Sequence, residues 1–539
     1  MVPPRPTETT SMRSKRSVSR NGGLVFAVAC LVAVGDASAK AGADPPLVEA
    51  VKARDTEAVR ALLADGVDVN TPQADGATAL HWAAYRDDVD TATLLIAAGA
   101  DVTVANELGA TPLWLAADNG SAAMVERLLD AGADPNVALP EGETPVMTAS
   151  RTGDVDVIRL LLAHGAAVNV SEHSRGQTAL MWAVAQGHHA VVEALIAHGA
   201  DVHARSIERP RLMHAENTNG SQYDQGVMWN RGGFTPLLFA ARHGDVESAR
   251  LLLAGGADVD DPAPTGATAL VVATHSGHGA FAAALLDAGA DPNAIGAGYS
   301  ALHAAILRGE GSLVETLLKR GANPNTRLET GTPIRRSSQD WALNPSLASA
   351  TPFWLAAYYR DPAIMRDLVA AGADPRLTTL ELWRPVFERA GGIGPPHIAG
   401  GFATPLMAAV RGTSNRGRFF NTSQRDPDAE EHNALDTVRV AVEFGADLNK
   451  ADGQGETALH SAASRNFTTI VRLLSELGVD LDVKNDAGRT PLELATRAEA
   501  SRGFIVDPTR YPSGSTAELL RELGATEEEP DDEAENEPR

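Results

Sequence analysis

Residues 233–265 read G-F-T-P-L-L-F-A-A-R-H-G-D-V-E-S-A-R-L-L-L-A-G-G-A-D-V-D-D-P-A-P-T, and this stretch decides the fold. The Thr235 hydroxyl suits a helix N-cap, and Pro236 suits the first helical position, where no N–H is needed. Leu237, Leu238, Ala240 and Ala241 then share one side, the alanines small enough for close helix contact. Gly244 ends that helix. Val246, Ala249, Leu251, Leu252 and Leu253 recur at helical spacing and give a second apolar face. Gly256 is placed as a left-handed cap, and Asp258 to Thr265 forms a polar turn back to the start. Such a unit cannot bury its own apolar face. It needs a copy on each side.

The copies are present. The capping residue recurs at Thr78, Thr111, Thr144, Thr178, Thr235, Thr268, Ser300, Thr351, Thr404, Thr457 and Thr490. Successive positions differ by 33, 33, 34, 57, 33, 32, 51, 53, 53 and 33 residues. A period near 33 with insertions marks a stacked helical solenoid. Thr457-Ala458-Leu459-His460 and Gly321-Ala322-Asn323-Pro324-Asn325 show the two ends of one consensus unit, and on these motifs the chain resembles the ankyrin-repeat family from Asp44 to about Thr526. The resemblance implies an L-shaped repeat of two antiparallel helices and a β-hairpin loop, and a curved array that binds proteins or peptides. The fold class is therefore read as all-α, an ankyrin-like solenoid of about twelve helix pairs.

Spacing divides the chain further. Residues 40–75 are a degenerate N-terminal capping repeat, and 76–205 hold regular repeats. Stretches 206–232, 327–349 and 376–401 are insertions expected on the hairpin side. Between them lie repeats at 233–326 and 350–375. A repeat at 402–454 carries an internal insertion at 412–433. Another repeat spans 455–487, 488–526 is the C-terminal cap, and 527–539, with eight acidic residues, is a solvated tail.

The amino terminus reads as a processing segment. Arg13, Lys15, Arg16 and Arg20 precede the apolar run Leu24 to Val34, and Ala37-Ser38-Ala39 fits a signal-peptidase site with Lys40 as the mature start. Cys30, the only cysteine, lies inside the run; Ala27-Val28-Ala29-Cys30 is a poorer match to a lipoprotein site. The chain is thus expected to be a bacterial exported protein, periplasmic or secreted, a monomer, with no membrane insertion after cleavage. An uncleaved signal anchor is the third alternative. Net charge is −24 for the 539 residues, which argues against nucleic acid as partner.

No His-Glu-x-x-His, cysteine pair, Gly-x-Ser-x-Gly or phosphate-loop pattern occurs. Gly391 to Pro396 is glycine-rich but neither follows a strand nor opens a helix. No catalytic residue, metal or cofactor is expected. The resemblance gives His81, His303 and His460 a structural hydrogen bond in the turn layer. The sharper signal follows each Ala-Ala pair, where the first helix ends on the concave side. Tyr85, Arg86, Arg151, Arg242, His243, His275, Arg308, Tyr358, Tyr359, Arg411 and Arg465 stand there. Tyrosine and arginine are common interface anchors, while arginine at a helix end also complements its dipole. The expected function is a non-enzymatic scaffold that binds a protein or peptide, carboxylate-bearing, in the groove and at the hairpin tips. The alternative is an enzyme or carbohydrate-binding accessory built by the insertions between 206 and 433, with Trp229, Trp341 or Trp383 stacking on a ring.

Overall fold

A computed structural model describes residues 44–214, 226–330, 347–380, 401–413, 427–502 and 515–526. The export segment, Cys30, the acidic tail, Trp341, Trp383 and the glycine-rich run lie outside the described residues.

Among the described residues twelve helix pairs follow one another. They begin with α1 (Pro46–Ala53) and α2 (Thr56–Ala64), α3 (Ala79–Tyr85) and α4 (Val89–Ala97), then α5 (Pro112–Asn119) and α6 (Ala122–Asp130). Next come α7 (Pro145–Thr152) and α8 (Val155–Ala163), α9 (Ala179–Gln186) and α10 (His189–Ala197). After an antiparallel ribbon of β1 (Arg209–His214) and β2 (Gly226–Arg231) stand α11 (Pro236–His243) and α12 (Val246–Ala254). α13 (Ala269–Ser276) and α14 (Gly279–Asp287), α15 (Ala301–Arg308) and α16 (Gly311–Lys319), α17 (Pro352–Tyr358) and α18 (Pro362–Ala370) continue the series. It closes with α19 (Pro405–Arg411) and α20 (Pro427–Glu443), α21 (Ala458–Arg465) and α22 (Thr468–Glu476), α23 (Pro491–Arg502) and α24 (Thr516–Glu522).

The caps explain where each helix starts. Thr111, Thr178, Thr235, Thr268, Ser300, Thr351, Thr404, Thr457 and Thr490 all accept from the backbone N–H three residues on. Asp55, Asp88, Asp154, Asp245 and Asp361 do the same for second helices. One apolar core runs unbroken from Leu47 to Ala525. Ala83, Ala84, Ala116, Ala117, Ala240 and Ala241 are each 0% exposed, and these small side chains let the first helices approach closely. First helices of neighbouring repeats pack more tightly than second helices, so the array curves with the first helices on the inner side. Leu252 is 0% exposed, but Val246 is 40% exposed, because it opens α12 on the side turned to solvent. The expected apolar face is narrower by that residue.

The Asp-x-Asn end of the consensus is a staple between repeats. Asn136 donates to the Gly165 carbonyl (3.1 Å) and accepts from Ala167 N–H (2.7 Å). Asn325 makes the same pair of bonds to Gly372 (3.1 Å) and Asp374 (2.8 Å), so α15/α16 and α17/α18 stack directly despite the long connection between them.

Most turns are closed by a rung such as Asn106 N–H to Ala110 carbonyl (3.0 Å) or Asn485 N–H to Arg489 carbonyl (3.0 Å). The equivalent rungs at the long connections are Ser206 to Phe234 (3.1 Å), Leu328 to Ala350 (2.8 Å) and Thr379 to Ala403 (3.0 Å). All three connections therefore leave and return through a hairpin tip, and the helices are untouched. The first of them carries β1 and β2, paired from Arg209↔Arg231 to His214↔Gly226, a departure from a purely helical reading. The stretch expected to be inserted at 412–433 also differs: from Pro427 onward it is already α20, which is 17 residues long.

Candidate functional site

The residue after each Ala-Ala pair ends a first helix on the inner face, as the sequence indicates. Two environments result. In one, the side chain ties repeat to repeat. Arg151 pairs with Asp118 (2.7 Å) and approaches Glu143 (4.0 Å), a buried carboxyl whose pKa burial pushes up. Arg411 donates to Ser461 Oγ (2.7 Å) and Glu456 (3.2 Å) of the next repeat and to Asp452 (2.7 Å) in the turn that leads into it. Arg465 donates to the Arg411 carbonyl (2.6 Å) at the end of α19, and its guanidinium lies 5.8 Å from the Phe467 ring. Arg308 pairs with Glu310 (3.4 Å) and lies over the end of α13, where a Cβ at Gly277 would collide with its guanidinium. His275 rests against Tyr299 (6.0 Å), itself buried. Tyr359 is 5% exposed and meets Tyr358 edge-on. Tyr359 is thus covered, and Arg151, Arg308, Arg411 and Arg465 have internal partners, so the residues after the Ala-Ala pairs do not share one environment. Helix-end complementation accounts for Arg465.

In the other environment the side chain is half-buried or exposed beside aromatic rings. Tyr85 stands edge-on to Trp82 (5.8 Å), and Arg86 lies 5.7 Å from the same indole. Tyr358 stacks on Trp354 at 5.6 Å and 10°. Arg242 and His243 are exposed at the end of α11, beside the half-buried rings of Phe234 and Phe239, which meet edge-on at 5.9 Å. Burial first, then the Arg242 charge, lowers the pKa of His243, so it is neutral at pH 7. Sequence reasoning missed Phe234 and Phe239. Phe234 directly precedes the capping Thr235, and Phe239 follows it by four, so the repeat register was sufficient to find both.

The turn-layer histidines have a different task. His81 Nδ1 accepts from Thr78 N–H (3.1 Å), and Nε2 reaches the Ala110 carbonyl (3.1 Å). His303 and His460 repeat this with Ser300 and Thr326, and with Thr457 and Arg489. An acceptor at Nδ1 and a donor at Nε2 fix the neutral ring. Among the described residues no group of three or more His, Cys, Asp or Glu could hold a metal ion.

Comparison with known proteins agrees with this architecture. The sequence model for ankyrin repeats matches residues 19–106, 47–139, 113–206, 211–296, 237–328 and 428–505, together well over half the chain. The chain belongs to the ankyrin-repeat family. Residues 329–427 fall outside these matches, yet α17, α18 and α19 of the ankyrin array stand there with the same caps. The crystal structure of the human ASB11 ankyrin repeat domain is similar at 29% sequence identity, with a TM-score of 0.37, over 46% of this chain and 99% of that one. No curated protein sequence matches the chain. Ankyrin repeats are generally protein-binding scaffolds, and the family is generally non-enzymatic. No helix among the described residues is long and apolar enough to cross a membrane.

Proposed function

We propose that this ankyrin array is a non-enzymatic scaffold that, as a single copy, holds a protein or peptide in its inner groove and against its hairpin tips. The observation that carries the reading is the exposed Arg242–His243 pair beside Phe234 and Phe239 in the middle of the array. Half-buried aromatic surface next to a forked cationic donor is the composition of an interface anchor. On a chain of charge −24, such a cation selects a carboxylate on the partner. Tyr85 with Arg86, and Tyr358, extend the same inner surface towards either end.

The test is capture from a periplasmic extract followed by affinity measurement on the captured partner. Arg242→Ala with His243→Ala is expected to weaken binding by at least about tenfold, the loss of one anchor. The control is Glu247→Ala with Glu315→Ala, two carboxylates on the second helices α12 and α16. Equal losses in both double variants, or no loss in the first, would reject the groove.

We further propose that the protein works outside the cytoplasm, after cleavage following Ala39. The basic stretch ahead of Leu24–Val34 and the Ala37-Ser38-Ala39 site support this. Intact-mass measurement of protein purified from its native cells is expected to place the amino terminus at Lys40. A retained apolar run, or an acyl group on Cys30, would contradict soluble export.

A further inference from the structure

The last repeat ends in an open recess of ≈410 Å³ lined by Arg489, Leu492, Glu493, Thr496, Arg497, Arg521 and Thr526. Three guanidiniums face one carboxylate there, on a chain whose net charge is −24. The repeat register explains why the recess is cationic and open. Arg497 stands seven residues after its capping Thr490, the position that Arg411 occupies relative to Thr404. Arg411 is neutralised by Asp452 and Glu456, carboxylates in the turn that leads into the following repeat. No repeat follows α23 and α24 within the described residues. Among those residues no ion pair forms at Arg489 or Arg497.

What does follow is acid. Thr526 lines the recess, and its N–H donates to Asp482 Oδ1 (2.9 Å), which fixes the chain at the rim. The next three residues are Glu527, Glu528 and Glu529, and residues 527–539 hold eight carboxylates in all. Three residues reach about 10 Å when extended, enough to enter from the rim. We propose that the acidic tail folds back on its own chain, with Glu527–Glu529 supplying to Arg489 and Arg497 the carboxylates that a further repeat would otherwise provide. The occupant is this segment in cis, and the contact is electrostatic and therefore salt-sensitive.

The test labels the tail of the full-length chain with a fluorophore at Ala534→Cys in a Cys30→Ser background and reads local anisotropy. The tail of the otherwise unaltered chain is expected to turn slowly, and to turn as fast as a free peptide in about 0.5 M salt. Glu527→Gln, Glu528→Gln and Glu529→Gln together, which leave the recess untouched, are expected to free it. So is Arg489→Glu with Arg497→Glu, provided the far-ultraviolet circular dichroism is unchanged. Adding Glu527→Lys, Glu528→Lys and Glu529→Lys to that recess variant is expected to restore slow rotation. A tail equally mobile in all these proteins overturns the proposal. Anisotropy that climbs with protein concentration assigns the tail to a second copy and overturns it equally.

Discussion

Arg360→Ala is expected to cost about 3–5 kcal/mol, the penalty for breaking a buried ion pair by removing one partner. The Arg360 side chain is 0% exposed. It donates to the Glu430 carboxylate (2.8 Å), the Glu430 carbonyl (2.9 Å) and the carbonyls of Ala409 and Val410 (3.4 Å each). Its guanidinium also lies 5.9 Å from the Phe467 ring. Arg360 thus joins α17, α19, α20 and α22 at the point where the chain between α19 and α20 is longest. Neighbouring Glu431 adds to the joint by accepting from Thr469 and Ile470 N–H (2.5 and 3.1 Å), capping α22, whose own N-cap is Phe467 and has no side-chain acceptor. Losing the arginine leaves Glu430 and two carbonyls without their donor. Repeat arrays couple through nearest neighbours, so amide exchange is expected to accelerate from α17 to α22 and stay slow in α3–α8. Arg366→Ala breaks the exposed Arg366–Glu443 pair (3.3 Å) in the same region and is expected to cost under about 1 kcal/mol. If both substitutions cost the same, the buried junction is not what holds these repeats together.

Acid is expected to destabilise the array between pH 6.5 and about 4 through its turn-layer histidines. Burial is the leading cause that lowers His81 and His303 to about 4 from 6.5, and it lowers His460 as well. The unfolded chain therefore binds more protons than the folded one within that window. Their stabilising contribution is complete above pH 6.5 and is lost as pH falls towards 4. For His81 and His303 the loss is on the order of 3 kcal/mol each. Buried Glu143, whose carboxyl burial raises, has the opposite sign and offsets part of it. Urea midpoints measured from pH 7 to 4.5 are expected to fall steeply for the unaltered chain. His303→Gln is expected to start lower and fall less steeply. An unchanged slope would mean that His303 protonates without cost.

Much of this was legible because the determinants are local. A capping Thr, a Pro one residue on, an Ala pair and a left-handed Gly lie within ten residues, and they place Pro236–His243 and its counterparts without knowledge of the neighbours. What was less legible depends on residues distant in sequence. β1 contains Pro210 and lacks clean alternation, and it forms because the Ser206–Phe234 rung already brings the two limbs together. The early start of α20 did carry a local signal, Pro427 at the first turn followed by Asp428, Glu430 and Glu431, but spacing from the preceding helix masked it. At the groove, Arg411 looked like Arg242. Its partners Asp452 and Glu456 lie 41 and 45 residues on, and only stacking converts that separation into contact.

The rung-closed tips also have a mechanical consequence. Twenty-seven residues lie between Ser206 and Phe234, yet the two are joined by a 3.1 Å hydrogen bond, with a second from Gly233 to Ser206 (3.0 Å). Under tension applied to the two ends of the array, load passes across this short clasp and bypasses the ribbon beyond it. The ribbon is stored length, up to about 90 Å of contour at about 3.3 Å per residue. It is shielded from load while the clasp holds.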